Sequence, residues 1–161
     1  MPGVISWGEL ESGEPALAEA GRGLLYQHGV GLAFLATVRA DGGPRLHPMC
    51  PLLDGRGLFA FIVPSPKQRD LLRDGRYAMH SFPRPDNEDA FHVTGAASLV
   101  DDAETRARLG DLFASERRSI GVPAPPDEDL LFSFGIESCL LTRTTGHGDP
   151  RPDHTVWRAP A

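Results

Sequence analysis

Gly57-Leu58-Phe59-Ala60-Phe61-Ile62-Val63-Pro64-Ser65-Pro66-Lys67-Gln68-Arg69 reads as a buried strand running straight into the first turn of a helix. Ser65 suits the N-cap, where its hydroxyl can accept from a free backbone N–H. Pro66 suits the first helical position, which needs no N–H. Gln68, three residues after the serine, completes the pattern of a capping box. The charges run against this well-marked start. Lys67 and Arg69 both fall in the first turn, at the positive end of the helix dipole, and Asp70 offsets only part of that. A bound anion would relieve the conflict, because free helix N-termini attract phosphate. The plainer reading is a solvated pair of cations on a capped helix. Lys67 is the only lysine among sixteen basic residues.

Outward from this stretch, the chain punctuates itself into short strands. Upstream, Leu32 to Val38 is an apolar run bounded by turn signals. Asp41-Gly42-Gly43-Pro44 makes a tight turn. Arg45 to Leu52 returns, and Pro48 and Pro51 within it predict an edge or bulged strand. Asp54-Gly55-Arg56-Gly57 turns again into the strand Leu58 to Val63. Downstream, the capped helix runs from Ser65 to about Asp74 and stops at Gly75. Strands follow at Arg76 to Phe82 and at Phe91 to Val100, with Gly95 as a bulge or bend. Phe134 to Thr144 is a sixth, and Thr155 to Arg158 a short last strand or tail. Helical spacing covers residues 6–28, capped by Ser6 with Glu9 three residues on, and broken by Gly13 and Pro15. A second helix runs from Asp101 or Asp102 to about Ile120. The Gly121 to Pro126 segment is a stiff connector, and Asp127 opens a short helical turn through Leu131. The pattern predicts a mainly β fold, an antiparallel barrel of six to seven strands with flanking helices.

At 161 residues, one domain over 1–161 is the simplest division, with an N-terminal helical segment at 1–29 and a helical insertion at 103–131. A net charge of −6 leaves no basic footprint for nucleic acid. The first thirty residues contain Glu9, Glu11, Glu14 and Glu19 and do not read as a signal peptide. No apolar run has the length of a membrane span. Cys50 and Cys139 read as a buried reduced pair in a cytoplasmic protein, with a disulfide as the alternative. Common zinc and nucleotide motifs are missing.

Four segments, in order, resemble the pyridoxamine 5′-phosphate oxidase-related family of FMN-binding split barrels. Gly31 to Pro44 is similar to that family's opening hairpin. Leu58 to Val63 followed by Ser65-Pro66-Lys67 resembles its strand and Ser-x-Lys phosphate segment. Asp74-Gly75-Arg76-Tyr77-Ala78 resembles the step into the next strand, and Val93 to Asp101 its Val-x-Gly-x-Ala-x-x-Val-Asp strand. The resemblance implies a split barrel, and an FMN-dependent oxidoreductase acting on a small molecule. It also implies a homodimer with the flavin in a groove between subunits. By position, Ser65, Lys67 and Arg69 would hold the FMN phosphate. His47, Pro48, Met49 and Cys50 would lie along the isoalloxazine ring. Ile62 and Val63 would border the ribityl chain, and Trp157 would stack on the partner's ring or anchor the tail.

The chain also departs from that family. Pro66 stands where an arginine is usual, and Ala90 near a usual glutamine. The C-terminal arginine–histidine pair that grips a pyridoxine phosphate has no counterpart. These departures leave room for deazaflavin, haem or an empty groove. No catalytic acid or base stands out, and none is required for a hydride step carried by a flavin. His47 has a structural reading on a half-exposed strand, as Cys50 does as a small buried side chain. His80 and His92 lie on strands that could face one another, too few ligands for a metal. His147 and His154 read as solvated, and Pro83 to Asp89 as a polar rim or lid.

Overall fold

The computed structural model describes residues 3–161. Helix α1 (Trp7–Gly13) starts in a full capping box. The Ser6 hydroxyl accepts from Glu9 N at 3.2 Å, while the Glu9 carboxylate accepts from Ser6 N at 2.7 Å. Pro15 opens α2 (Pro15–Leu25) one residue after Glu14, so the Gly13/Pro15 break falls as expected. Trp7, Leu10, Leu17, Ala18, Leu24 and Leu25 are buried, and Trp7 meets Phe91 edge-on at 6.0 Å between ring centroids. This helical pair closes over the inner face of the sheet.

Eight strands form that sheet: β1 (Ala33–Val38), β2 (Pro44–Met49), β3 (Leu52–Leu53), β4 (Leu58–Ile62), β5 (Arg76–Ser81), β6 (Ala90–Leu99), β7 (Leu130–Arg143) and β8 (Asp153–Arg158). Their order is β2-β1-β5-β6-β7-β4-β3, with β8 also on β7, and every pairing is antiparallel. The sheet curls into a split barrel. Gly42, at φ +83°, makes the β1–β2 turn that the Asp-Gly pair predicts. β2 pairs with β1 alone and is an edge, as its prolines require.

Alternation along the strands separates two faces. Leu35, Met79, Phe91, Val93, Phe134, Ile136 and Cys139 point into one main core. Burying an aliphatic or aromatic side chain of this size contributes about 1.5–3 kcal/mol. β4 is buried on both sides. Leu58, Ala60 and Ile62 join the main core, while Phe59 and Phe61 meet Leu109, Leu112 and Phe113 of α4 (Ala103–Glu116) in a second one. That is why residues 58–62 are apolar without alternation.

The structure corrects three boundaries and decides between two readings of the tail. The strand expected over 45–52 is two, because it leaves β1 after Met49 and Leu52–Leu53 pairs with β4 instead. Cys50 and Pro51 form the corner, and Pro51 has no N–H to continue a ladder. The helix expected to reach Ile120 ends at Glu116, followed by a 3₁₀ turn over Arg118–Ile120. The helical turn expected through Leu131 is a bend closed by Asp129 N to Pro126 O at 3.0 Å, and β7 already begins at Leu130. There the pull of strand pairing with β4 outweighs a weak local cap. The tail is a true strand, paired along its whole length with β7.

Gly95 sits at the β6 bulge, where the register with β7 skips Glu137. A Cβ there would stand 1.9 Å from Gly135 O, a backbone atom with no room to yield. Gly95→Ala is expected to destabilise the protein by about 1–3 kcal/mol. Urea unfolding measures it; an unchanged midpoint would show that the bulge tolerates a side chain.

Candidate functional site

The strand β4 delivers the chain to Ser65, whose extended backbone (φ −168°, ψ 166°) makes it the N-cap of α3 (Pro66–Arg73). Its hydroxyl accepts from Gln68 N at 3.3 Å and donates to Val63 O at 2.8 Å. The capping box is only half formed. The Gln68 amide turns inward and donates to Ile62 O at 2.7 Å and Glu128 O at 3.2 Å. It thereby stitches α3 to β4 and to the connector before β7, which is worth more than a reciprocal cap because those carbonyls are otherwise hard to satisfy.

Pro66 has no N–H, and those of Gln68 and Arg69 go to Ser65. Among the described residues, the Lys67 N–H is the donor left over at this helix start. The half-buried Lys67 side chain makes no ion pair there, and the first turn carries no acid. The expected offset by Asp70 does not operate. Its carboxylate is buried and already bonded, to Thr37 Oγ1 at 2.8 Å, Arg45 Nε at 2.7 Å and Arg73 Nη2 at 3.1 Å. Burial pushes this carboxyl up, but the bonds from Arg45, Thr37 and Arg73 together outweigh it and hold it below the usual carboxylate range. One acid thus ties β1, β2 and α3 together. Neither Thr37 nor Arg45 was foreseen. Their signals were a polar residue at an inward position of β1 and a lone acid among the arginines of α3.

The other named residues fall into three places. Along the β2 edge, His47 pairs with Leu35, Pro48 with Phe34 and Met49 with Ala33. Met49 is buried, Pro48 exposed, and His47 and Cys50 half-buried. At the end of β4, Ile62 is core and Val63 is 49% exposed. The Asp70–Arg45 bridge ties α3 to the start of β2, next to the β1–β2 turn, whereas Met49 and Cys50 lie at the other end of that strand. Trp157 lies on β8, opposite Cys139 and against the main core. Five strand spacings, roughly 24 Å along the sheet, separate β8 from β2. In strand order, Trp157 and the β2 edge are thus five strands apart. Arg69 also parts from Lys67. Residues two apart point about 200° away from each other around a helix, and Arg69 turns toward the β1–β2 hairpin.

On the outer face, His80 and His92 pair across β5 and β6 with ring centroids 6.3 Å apart. Burial and the neighbouring His80 lower the His92 pKa. No group of three or more His, Cys, Asp or Glu stands ready for a metal among the described residues. The 83–89 loop is tied down, since Asp89 accepts from Thr144 N at 2.7 Å and Glu88 N donates to Thr144 Oγ1 at 2.9 Å. Cys50 and Cys139 are both free thiols, and burial pushes that of Cys139 up to about 12.

The family profile of pyridoxamine 5′-phosphate oxidase matches residues 25–131, well over half of the chain. The chain belongs to the pyridoxamine 5′-phosphate oxidase family. No curated protein matches it. Solved structures with the same fold include a haem-binding protein from Mycobacterium smegmatis, 18% identical with a TM-score of 0.60. That match covers 84% of this chain and 57% of the mycobacterial one, so the chain spans little more than half of that protein's length. General Stress Protein 26 from Bacillus anthracis is 16% identical over 87% of this chain and 96% of its own, with a TM-score of 0.62. An F420 reductase is 23% identical over 71% of this chain and 90% of its own, with a TM-score of 0.52. At such identities the likeness is one of fold. For this family member, as for any, the site must be argued from its own residues.

Asp70 carries the geometry of this site, and its contribution depends on pH. Its pKa is lower folded than unfolded. The stability it adds is therefore complete above the unfolded carboxylate value of about 3.9 and drains away as pH falls through the folded one. Asp70→Asn is expected to cost roughly 1.5–3 kcal/mol at pH 7, the range for hydrogen bonds to a charged group. The deficit should shrink below about pH 4. Denaturant unfolding at pH 7 and pH 3 checks this; an equal deficit at both would contradict it.

Proposed function

We propose that the protein is an FMN-dependent oxidoreductase of this family, acting on a small molecule as a homodimer. The observation that carries the reading is the start of α3. A free backbone N–H and the unpaired Lys67 ammonium stand together there, on a helix start with no acid of its own. A phosphate dianion fits such a donor set. Ser65 and Lys67 would hold it, and Val63 would border the chain leading away from it.

The flavin, when bound, would supply the hydride chemistry. The protein's part is to bind, orient and exclude water. The β2 edge offers backbone donors and acceptors that β1 does not use, at His47 to Cys50, for the polar rim of a flat ring. Met49 closes the core behind that edge, and Pro48 presents a flat apolar face beside it.

In the dimer that the family resemblance implies, the tryptophan of a second copy would meet that edge. The outer sheet face also suits a partner. Register aligns Pro48, Phe34, His80, His92, Leu140 and Val156 in one row across six strands. Leu46 is 65% exposed and Val156 57% exposed on that face. The free thiols of Cys50 and Cys139 support a reducing, cytoplasmic setting. No helix among the described residues is long and apolar enough to cross a membrane.

Deazaflavin as cofactor is the second reading. Pro66 in place of a phosphate-binding arginine weakens the FMN site, and the fold is shared with an F420 reductase.

Purified protein is expected to be yellow, with a flavin spectrum. Lys67→Ala should weaken FMN binding by roughly 1.5–3 kcal/mol in a fluorescence titration; an unchanged dissociation constant would remove the phosphate role. Colourless protein that binds deazaflavin, or shows a Soret band with haemin, would transfer the site to those ligands. Light scattering after size exclusion should give twice the 17.4 kDa chain, and Val156→Arg should shift it toward monomer. A monomer at micromolar concentration in the unmodified protein would refute the shared groove.

A further inference from the structure

His80 of β5 and His92 of β6 are direct cross-strand partners on the outer face of the sheet. Their ring centroids stand 6.3 Å apart with the planes tilted by 54°, so the rings do not stack on one another. The frame beneath them is fixed. Their strand neighbours Met79, Phe91 and Val93 are fully buried in the main core on the inner face. β5 and β6 are also inner strands, flanked by β1 and β7. Side chains on such a frame keep their spacing without help from a ligand. His80 is exposed and His92 half-buried, so an ion from solvent reaches both.

The ring nitrogens are set for a cation. His80 Nδ1 lies 2.7 Å from the backbone oxygen of Ser81. A carbonyl only accepts, so Nδ1 carries a proton and donates it there. In the neutral ring that leaves the Nε2 lone pair free. A backbone carbonyl holding one ring N–H is a common support for a metal-binding histidine. His92 makes no hydrogen bond through its ring among the described residues. Its burial and the nearby His80 favour the neutral ring, the form that binds a metal. The register sets Phe34 and Leu140 on the two flanks of the pair, and Ala78, Thr94 and Ala90 along the strands. None of these is basic, so no fixed positive charge opposes an incoming cation.

We propose that His80 and His92 form a two-histidine chelate for a divalent transition cation of the Zn²⁺, Ni²⁺ or Cu²⁺ kind. Imidazole nitrogen suits these ions, whereas Mg²⁺ and Ca²⁺ take oxygen ligands. An ion about 2.0–2.1 Å from one nitrogen of each ring fits between two rings so spaced. Two protein ligands fall short of the closed four-ligand sphere of structural zinc. The cation is therefore exchangeable and keeps open positions, which water fills in a single chain. In the dimer proposed above, the pair lies mid-row on the face that a partner covers, and the same pair of a second copy would fill them. The chelate itself rests on neither the dimer nor the flavin.

Calorimetric titration of the untagged chain with Zn²⁺ tests it. Saturable binding is expected, and Mg²⁺ should not compete. One ion per chain would mean that water completes the sphere; one per two chains would mean that two copies share it. His80→Ala or His92→Ala alone should weaken binding at least ~10-fold, because a chelate is lost with either arm. Exposed His147, which stands near Glu88, is the control, and His147→Ala should leave binding as it was. Unchanged unfolding midpoints would confirm that the variants keep their fold. Independently of any variant, Cu²⁺ on the unmodified chain should show at least two coordinated nitrogens by electron paramagnetic resonance. No saturable Zn²⁺ binding below about 1 mM would overturn the proposal. So would binding that survives either substitution of the pair, an equal loss in His147→Ala, or a copper spectrum with fewer than two nitrogens.

Discussion

One buried carboxylate holds the working end of this fold together. Asp70 reaches from α3 to Thr37 on β1 and Arg45 on β2, and keeps Arg73 beside it on its own helix. Burying an unpaired carboxylate would cost far more than the fold can spare. The three partners must therefore be present together, and they fix where α3 sits on the sheet. That position leaves the Lys67 N–H and ammonium free at the start of α3.

The strand β4 explains why α3 can be held so firmly. Both of its faces are covered, by the main core through Leu58, Ala60 and Ile62, and by α4 through Phe59 and Phe61. Arg106 of α4 lies over the Phe61 ring at 5.1 Å, adding a cation–π contact to that cover. A strand packed on two sides has little freedom to tilt, so the helix that leaves it has a fixed origin. The Gln68 amide, bonded to Ile62 O and Glu128 O, then locks the first turn against the strand. Local capping by Ser65 starts the helix, but tertiary hydrogen bonds aim it.

What the sequence made legible is what short-range chemistry decides. The Ser6 and Ser65 caps, the Asp-Gly turn, the Gly95 bulge and the edge character of β2 each follow from a few neighbouring residues. The illegible parts depend on residues far apart in the chain. Asp70 looked like a partial offset to helix charge, because nothing local says that it will meet Thr37, 33 positions away. Gln68 looked like half of a capping box, and its amide went to a carbonyl 60 positions off instead. Residues 127–131 looked like a helical turn, and pairing with β4 drew Leu130 and Leu131 into strand. The site shows the same division. Its residue types were visible one by one, while the placement of Trp157 on β8, five strands from β2 in the sheet order, appears only in the topology.

The same division applies to the basic residues at the start of α3. In sequence, Lys67 and Arg69 form one charged pair at a helix start. In space they diverge, because helical geometry sends alternate residues to opposite sides. Lys67 is left with one N–H and the helix dipole, while Arg69 joins Arg39, Arg45 and Arg73 in lining one cleft. Pro66 sharpens the contrast. An arginine at that position would lie beside that cleft, whose lining Pro66 already joins, and would bridge the two groups into one broad basic surface. Proline there gives α3 a clean first turn and keeps the two clusters distinct. Buried Asp70 meanwhile holds Arg45 and Arg73 through the nitrogens that face it.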